Sequence, residues 1–197
     1  MLLSNNELES QNLQEFEELL KLYIELKPSK VVEIGSLYGW TLQHFIHYAQ
    51  QPSTVVSIDF PVRKFVGPHD PRAEKQEFFY KSVWPKWAKE SNCKLYLLPE
   101  QSQQPLVLEQ TKNIFNNEQI DFLFIDGDHT YEGVKRDYEM YSPLVRKGGI
   151  VAFHDIGQNE QGGVHHVWND VVKPKHKNTK ELCFEPNSEK GIGVAYI

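Results

Sequence analysis

Leu13, Phe16, Leu19, Leu20, Tyr23 and Ile24 recur at helical spacing, which predicts an amphipathic helix ended by Pro28. The pattern then changes to short, nearly continuous apolar runs. Lys30–Gly35, Thr54–Phe60, Lys94–Pro99, Gln119–Asp128 and Gly148–Ile156 read as strands. Helical patterns fall between them at Trp40–Gln50, Ala73–Ser91, Leu106–Asn116 and Tyr131–Val145. Strands with little alternation are buried on both faces, which calls for a parallel sheet covered by helices. The alternation of strand and helix predicts an α/β, Rossmann-like doubly wound sheet, mostly parallel. The tail is different. Glu181–Pro186 and Gly191–Ile197 read as two short strands around the turn-rich Asn-Ser-Glu-Lys link, an antiparallel hairpin closing one edge.

Length and composition narrow the class. The 197 residues suit one domain, spanning 1–197, with an N-terminal helical segment at 1–28 and an insert at 60–92. A net charge of −6 gives no electrostatic footprint for nucleic acid. The densest basic run, Lys173–Lys180, is short and reads as a solvated loop. Cys93 and Cys183 are the only cysteines and form no metal or redox motif, which fits a reducing cytosol. The first residues turn polar too soon for a signal peptide, and no apolar run is long enough to span a bilayer. A cytoplasmic protein with no membrane or nucleic-acid partner is expected; an oligomer is compatible with the sequence.

In open α/β sheets, ligands bind beyond the carboxyl ends of the strands. All five predicted strands end in polar or acidic residues. The first delivers Glu33, Gly35 and Ser36, with Gly39 opening the next helix. Two glycines four residues apart suit either a tight turn or a cofactor loop. A dinucleotide loop presents amides to a pyrophosphate, and a carboxylate where Glu33 stands would repel that anion. Asp59 ends the next strand about 20 residues on, where an acid accepts hydrogen bonds from ribose hydroxyls. Glu33 and Asp59 together suit a ribose-bearing cofactor with a cation and no phosphate, as in S-adenosylmethionine. The third strand ends in Glu100, Gln101 and Ser102, the fourth in Asp126, Gly127, Asp128 and His129, the fifth in His154 and Asp155. Neighbouring parallel strands lie about 5 Å apart, so ligands from two strand ends can reach one divalent ion. Capping is the competing use, chiefly for Asp128 or Thr130 at the helix that follows.

These residues carry a resemblance. VVEIGSLYGWT, VVSIDF, the 35-residue stretch Phe122–Ile156 and the terminal GIGVAYI resemble the class I S-adenosylmethionine-dependent methyltransferases, in the branch with cephalosporin hydroxylase-like proteins and sugar O-methyltransferases. The resemblance implies about seven strands, the last antiparallel. It implies that Glu33, Gly35, Ser36 and Gly39 line the methionine side of the cofactor and that Asp59 holds the ribose. The segment near adenine usually reads Gly-Asp-Ser; here it is Glu100-Gln101-Ser102, so only Ser102 carries over. Asp126 and Gly127 complete the expected cofactor contacts. In metal-dependent relatives, acids at the ends of the fourth and fifth strands bind magnesium, which points to Asp126, His154 and Asp155 as ligands for Mg or another divalent metal.

The expected reaction is O-methylation of a small hydroxyl-bearing acceptor, such as a sugar or an anionic metabolite. His129 and Asp126 are the candidate catalytic residues, His129 as the base and Asp126, with Asp155, at a metal that holds the acceptor oxygen. The Pro- and Gly-containing Phe60–Phe79 segment could cover the acceptor, and Arg63, Lys64, His69 and Arg72 could meet an anionic group. Gly157–Val172 could form another wall, with His165 and His166 as weaker metal candidates. Three other functions fit parts of the pattern: a nicotinamide oxidoreductase, a non-haem iron oxygenase using His129, His154 and a carboxylate, and a non-catalytic cofactor-binding domain.

Overall fold

The computed structural model describes residues 12–67, 69–157, 163–185 and 190–197. The elements run α1 (Leu13–Leu26), β1 (Lys30–Ile34), α2 (Trp40–Tyr48), β2 (Ser53–Ile58), α3 (Arg63–Val66), α4 (Pro71–Phe78), α5 (Trp84–Glu90), β3 (Cys93–Leu98), α6 (Pro105–Ile114), β4 (Ile120–Ile125), α7 (Tyr131–Tyr141), β5 (Val145–Phe153), α8 (Gly163–Val167), β6 (Thr179–Leu182) and β7 (Ile192–Tyr196). The first 11 residues of the N-terminal segment, part of the Gly157–Val172 wall and most of the Asn-Ser-Glu-Lys link lie outside the described residues.

The strands form one seven-stranded sheet in the order β3-β2-β1-β4-β5-β7-β6. β1 to β5 are parallel, and β7 runs antiparallel between β5 and β6. The tail is thus a hairpin, as its sequence suggests, but its second strand inserts inside the first. Strand order reverses between β1 and β4, and a crevice opens at such a reversal. Two apolar layers cover the faces. One joins Val32, Leu123 and Val151 to Phe153 and Trp168; the other joins Phe16, Tyr23 and Phe45 to Phe122 and Trp84.

One helix is interrupted by a π turn, and another ends earlier than its apolar pattern does. The predicted Ala73–Ser91 helix is α4, a π turn at Phe79–Val83, and α5. Pro85 lacks the N–H that would bond one turn back, so the regular ladder cannot pass through it. The pattern over Tyr131–Val145 ends as a helix at Tyr141, because Pro143 follows, and β5 starts at Val145 rather than Gly148. Among the described residues, no helix is long and apolar enough to cross a membrane.

Candidate active site

Backbone pairing puts the strand ends side by side. Ile34 pairs with both Ile58 and Ile125, and Ile125 pairs with Phe153. The residues just beyond, Gly35, Asp59, Asp126 and His154, therefore share one edge. They border a cavity of about 630 Å³ that also meets Ser36, Ser102, Gly127, His129 and Asp155. Its far walls come from the segment after β2, through Phe60, Val62, Phe65, Lys75 and Phe79.

The glycine loop is tightly packed. Gly35 has φ +85°, and a Cβ there would lie 2.0 Å from the Asp126 carbonyl oxygen, so only glycine lets β1 and β4 end together. Gly39, at φ +83°, faces the Trp84 indole and does not border the cavity. Glu33 is also placed away from it. Its side chain is fully buried; Ser36 Oγ donates to Oε2 at 2.6 Å, and Thr41 Oγ1 donates to Oε1. Burial pushes the Glu33 carboxyl up to about 8, so near neutrality it is largely uncharged. Glu33 braces the loop from beneath, and Ser36 is the side chain that meets the cavity.

Asp59 stands at the cavity wall. Its Oδ2 accepts from the Leu37 backbone N–H at 2.8 Å, Gln76 Nε2 at 3.0 Å and Tyr80 Oη at 2.8 Å. Burial outweighs these bonds and raises its carboxyl to about 6. Gln76 and Tyr80 are four residues apart on one helical face, and the sequence reading did not single them out. At the other end, Ser102 is buried and its carbonyl accepts from Tyr141 Oη at 2.8 Å. Nearby Asp137 is buried on α7 and pushed up to about 7 by burial.

Four ionisable side chains meet beyond β4 and β5. His154 Nδ1 lies 3.0 Å from Asp155 Oδ1 and 3.3 Å from Asp126 Oδ1. His129 Nε2 lies 3.3 Å from Asp126 Oδ1, and its Nδ1 is 3.4 Å from Asp155 Oδ2. Burial opposes charge at Asp126 and His154, but their mutual attraction wins: the aspartate is held low and the histidine high. The bond to Asp126 raises His129 as well. His154 is 3% exposed, whereas the His129 side chain is 50% exposed and faces solvent. Ligand atoms of Asp126, His154 and Asp155 all lie within 4.8 Å of one another, and two carboxylates with one imidazole make a donor set for a divalent ion.

Other sequence candidates have other partners, and of these Asp128 also lines the cavity. Thr130 caps α7, accepting from Gly133 N at 3.1 Å, while Asp128 Oδ1 accepts from Thr130 N at 2.9 Å. Arg72 pairs with Asp70 and Lys64 with Glu100. Among the described residues, Arg63, Lys64, His69 and Arg72 do not line the cavity, whereas Lys75 does, with its Nζ 4.4 Å from the Tyr38 ring centre. His165 Nδ1 lies 2.9 Å from the Ile156 carbonyl, and His166 faces Asp170; neither borders the cavity.

A family model described as a methyltransferase domain matches residues 32–156. The match runs from the glycine loop through the Asp126 and His154 strand ends, and the chain belongs to this methyltransferase-domain family. Among curated proteins it is similar to a rhamnosyl O-methyltransferase of Mycobacterium leprae, 24% identical over 71% of this chain and 53% of that one. The chain spans from 15% to 53% of the length of the curated relatives it matches. Solved structures share the fold. The O-methyltransferase TomG from Streptomyces achromogenes, in complex with S-adenosylmethionine, superposes with a TM-score of 0.65 at 12% identity, over 98% of this chain and 85% of that one. CalS11, a TDP-rhamnose 3'-O-methyltransferase, gives 0.60 at 17% identity, over 91% and 76%.

Proposed function

We propose that the protein is an S-adenosylmethionine-dependent O-methyltransferase whose acceptor is a small hydroxyl-bearing molecule of sugar type. The observation that carries this is the shared cavity: Asp59 stands at one wall and the Asp126–His129–His154–Asp155 cluster at another. The family match favours methyl transfer over the oxidoreductase reading, and the rhamnose-directed relatives support a sugar hydroxyl.

When bound, S-adenosylmethionine supplies a methyl group activated by its sulfonium, and a divalent ion at Asp126, His154 and Asp155 would lower the proton affinity of a coordinated hydroxyl. Asp59 accepts hydrogen bonds from the ribose hydroxyls, using Oδ1, since Oδ2 already takes three donors. Ser36 and Gly35 border the methionine end, while Ser102 and Gly127 border the base. His129 is the proton acceptor. Its ring is half-exposed at the cavity: Nδ1–H donates toward Asp155, Nε2 keeps the lone pair that takes the proton, and Asp126 beside it stabilises the imidazolium that forms. Phe60, Phe65 and Lys75 give the acceptor side an apolar wall and one cation.

The test is incubation with methyl-labelled S-adenosylmethionine and a panel of rhamnosides and other glycosides, with and without magnesium or manganese. A labelled methyl ether supports the reading. Tight cofactor binding without transfer to any hydroxyl would instead favour a non-catalytic cofactor-binding domain.

A further inference from the structure

Beneath the glycine loop, four polar side chains meet almost out of reach of solvent. Glu33 is fully buried, and Ser36, Ser57 and Thr41 are 4%, 2% and 5% exposed. Glu33 comes from β1, Ser57 from β2 and Thr41 from α2, while Ser36 lies on the loop between β1 and α2. Ser36 Oγ is the centre, 2.6 Å from Glu33 Oε2 and 2.7 Å from Ser57 Oγ. The hydrogens in this set can be counted. Thr41 Oγ1 donates to Glu33 Oε1. An ionised Glu33 takes a second hydrogen, from Ser36. A neutral Glu33 has a hydrogen of its own. Because Oε1 accepts from Thr41, that hydrogen lies on Oε2 and donates to Ser36 Oγ. Ser57 Oγ has no other partner among the described residues, so its hydrogen also goes to Ser36. A hydroxyl oxygen offers two lone pairs and one hydrogen. Once Glu33 and Ser57 fill both lone pairs, the Ser36 hydrogen has one direction left, into the cavity that Ser36 borders.

We propose that Glu33 is a positioning residue: without touching the cofactor, its carboxyl hydrogen makes the Ser36 hydroxyl an obligate donor toward the α-carboxylate of S-adenosylmethionine. This rests on the reading above that Ser36 borders the methionine end. The α-carboxylate is the acceptor that suits the geometry, since the sulfonium and ammonium of the same tail are cations and accept no hydrogen bond. An ionised Glu33 undoes the arrangement twice. It draws the Ser36 hydrogen down to itself, which turns a lone pair toward the cofactor carboxylate, and it adds a negative charge behind that lone pair. The fold holds Glu33 neutral at neutral pH. Burial raises its carboxyl to about 8, and Asp126 and Asp59, the acids that face it from the ends of β4 and β2, add to the rise. Tyr23 of α1 and Tyr80 of the π turn also feel the Glu33 charge, and burial holds both phenols above their ordinary value.

The test titrates S-adenosylhomocysteine, and its analogue lacking the α-carboxylate, into wild type, Ser36→Ala and Glu33→Gln. At about pH 7, Ser36→Ala should bind S-adenosylhomocysteine about 10–100-fold more weakly and the analogue within about twofold of wild type, the loss of one bond to a charged acceptor. From about pH 7 to about pH 9, the wild-type preference for S-adenosylhomocysteine over the analogue should fall several-fold as Glu33 ionises. In Glu33→Gln, whose amide donates to Ser36 across that range, the preference should hold nearly level. Comparing the preference rather than either affinity removes the titration of Asp59, which acts on both ligands. A wild-type preference that is flat with pH, or that falls equally in Glu33→Gln, overturns the proposal. So does an equal loss of both ligands in Ser36→Ala, which marks a merely structural residue of the loop. If Ser36→Ala does not fold, the pH comparison decides; if Glu33→Gln does not fold, the two ligands in Ser36→Ala decide. If wild type binds neither ligand, the cofactor reading fails and this proposal with it, whereas binding with an unmoved preference sinks this proposal alone.

Discussion

The Tyr80 hydroxyl donates to Asp59 Oδ2 at 2.8 Å, which ties the end of β2 to the helical segment that follows it. With Gln76 on the same oxygen, this bond fixes the carboxylate that the proposed function assigns to the ribose. Asp59→Ala is therefore expected to weaken S-adenosylhomocysteine binding by about 10–100-fold, since bonds to a charged acceptor are worth about 1.5–3 kcal/mol each. Tyr80→Phe should weaken it only a few-fold, because two donors remain. Calorimetric titration of both variants checks this, and equal affinities in wild type and Asp59→Ala would remove Asp59 from the cofactor site.

His129 bridges Asp126 and Asp155 but stays half-exposed at the cavity. His129→Ala should lower turnover by about 100–10,000-fold, the range for a general base, while cofactor affinity changes little. The measurement is single-turnover methyl transfer beside a binding titration. An equal loss in both would sink the role as base.

Glu33 makes stability depend on pH. Burial raises its carboxyl from 4.5 to about 8, so the folded protein holds a proton that the unfolded chain gives up. Its stabilising contribution is full below pH 4.5 and is lost as the pH rises through about 8. Buried Asp137, raised to about 7, acts in the same direction. Melting temperature should fall across this window in wild type and fall less steeply in Glu33→Gln. Parallel curves for the two proteins would show that Glu33 does not carry the proton.

Gly39→Ala should destabilise the fold without touching the cavity. A Cβ there would lie 2.4 Å from Trp84 Nε1, and φ is +83°. The left-handed backbone alone costs about 1–3 kcal/mol for a non-glycine residue. Denaturant unfolding reads the total, and a variant as stable as wild type contradicts the packing described here.

Much of the fold was legible because buried parallel strands announce themselves. Val31–Ile34, Val55–Ile58 and Phe122–Ile125 are mostly apolar runs, broken only by Glu33 and Ser57, that stop at Gly35, Asp59 and Asp126, and those stops mark the cavity. The side chains that turn away were not legible. Glu33 reads as a strand-end charge, yet Ser36 and Thr41 draw it inward, and hydroxyls three and eight residues away do not reveal a rotamer. Gln76 and Tyr80 share a helical face, but the sequence does not say which face docks on Asp59. Glu15 follows the N-cap Asn12 at capping-box spacing, yet its side chain is buried and accepts from the Phe184 backbone N–H. The π turn within Ala73–Ser91 and the overrun of Tyr131–Val145 have a simpler source: Pro85 cannot donate to the ladder, and Pro143 follows the last turn of α7.

The central claim is that the cavity between Asp59 and the Asp126–His154–Asp155 cluster holds S-adenosylmethionine. Calorimetry of the wild-type protein with S-adenosylhomocysteine, with and without magnesium, tests it most directly. Saturable one-to-one binding in both conditions, abolished or strongly weakened by Asp59→Ala, is the expected result. No heat of binding under either condition would contradict it.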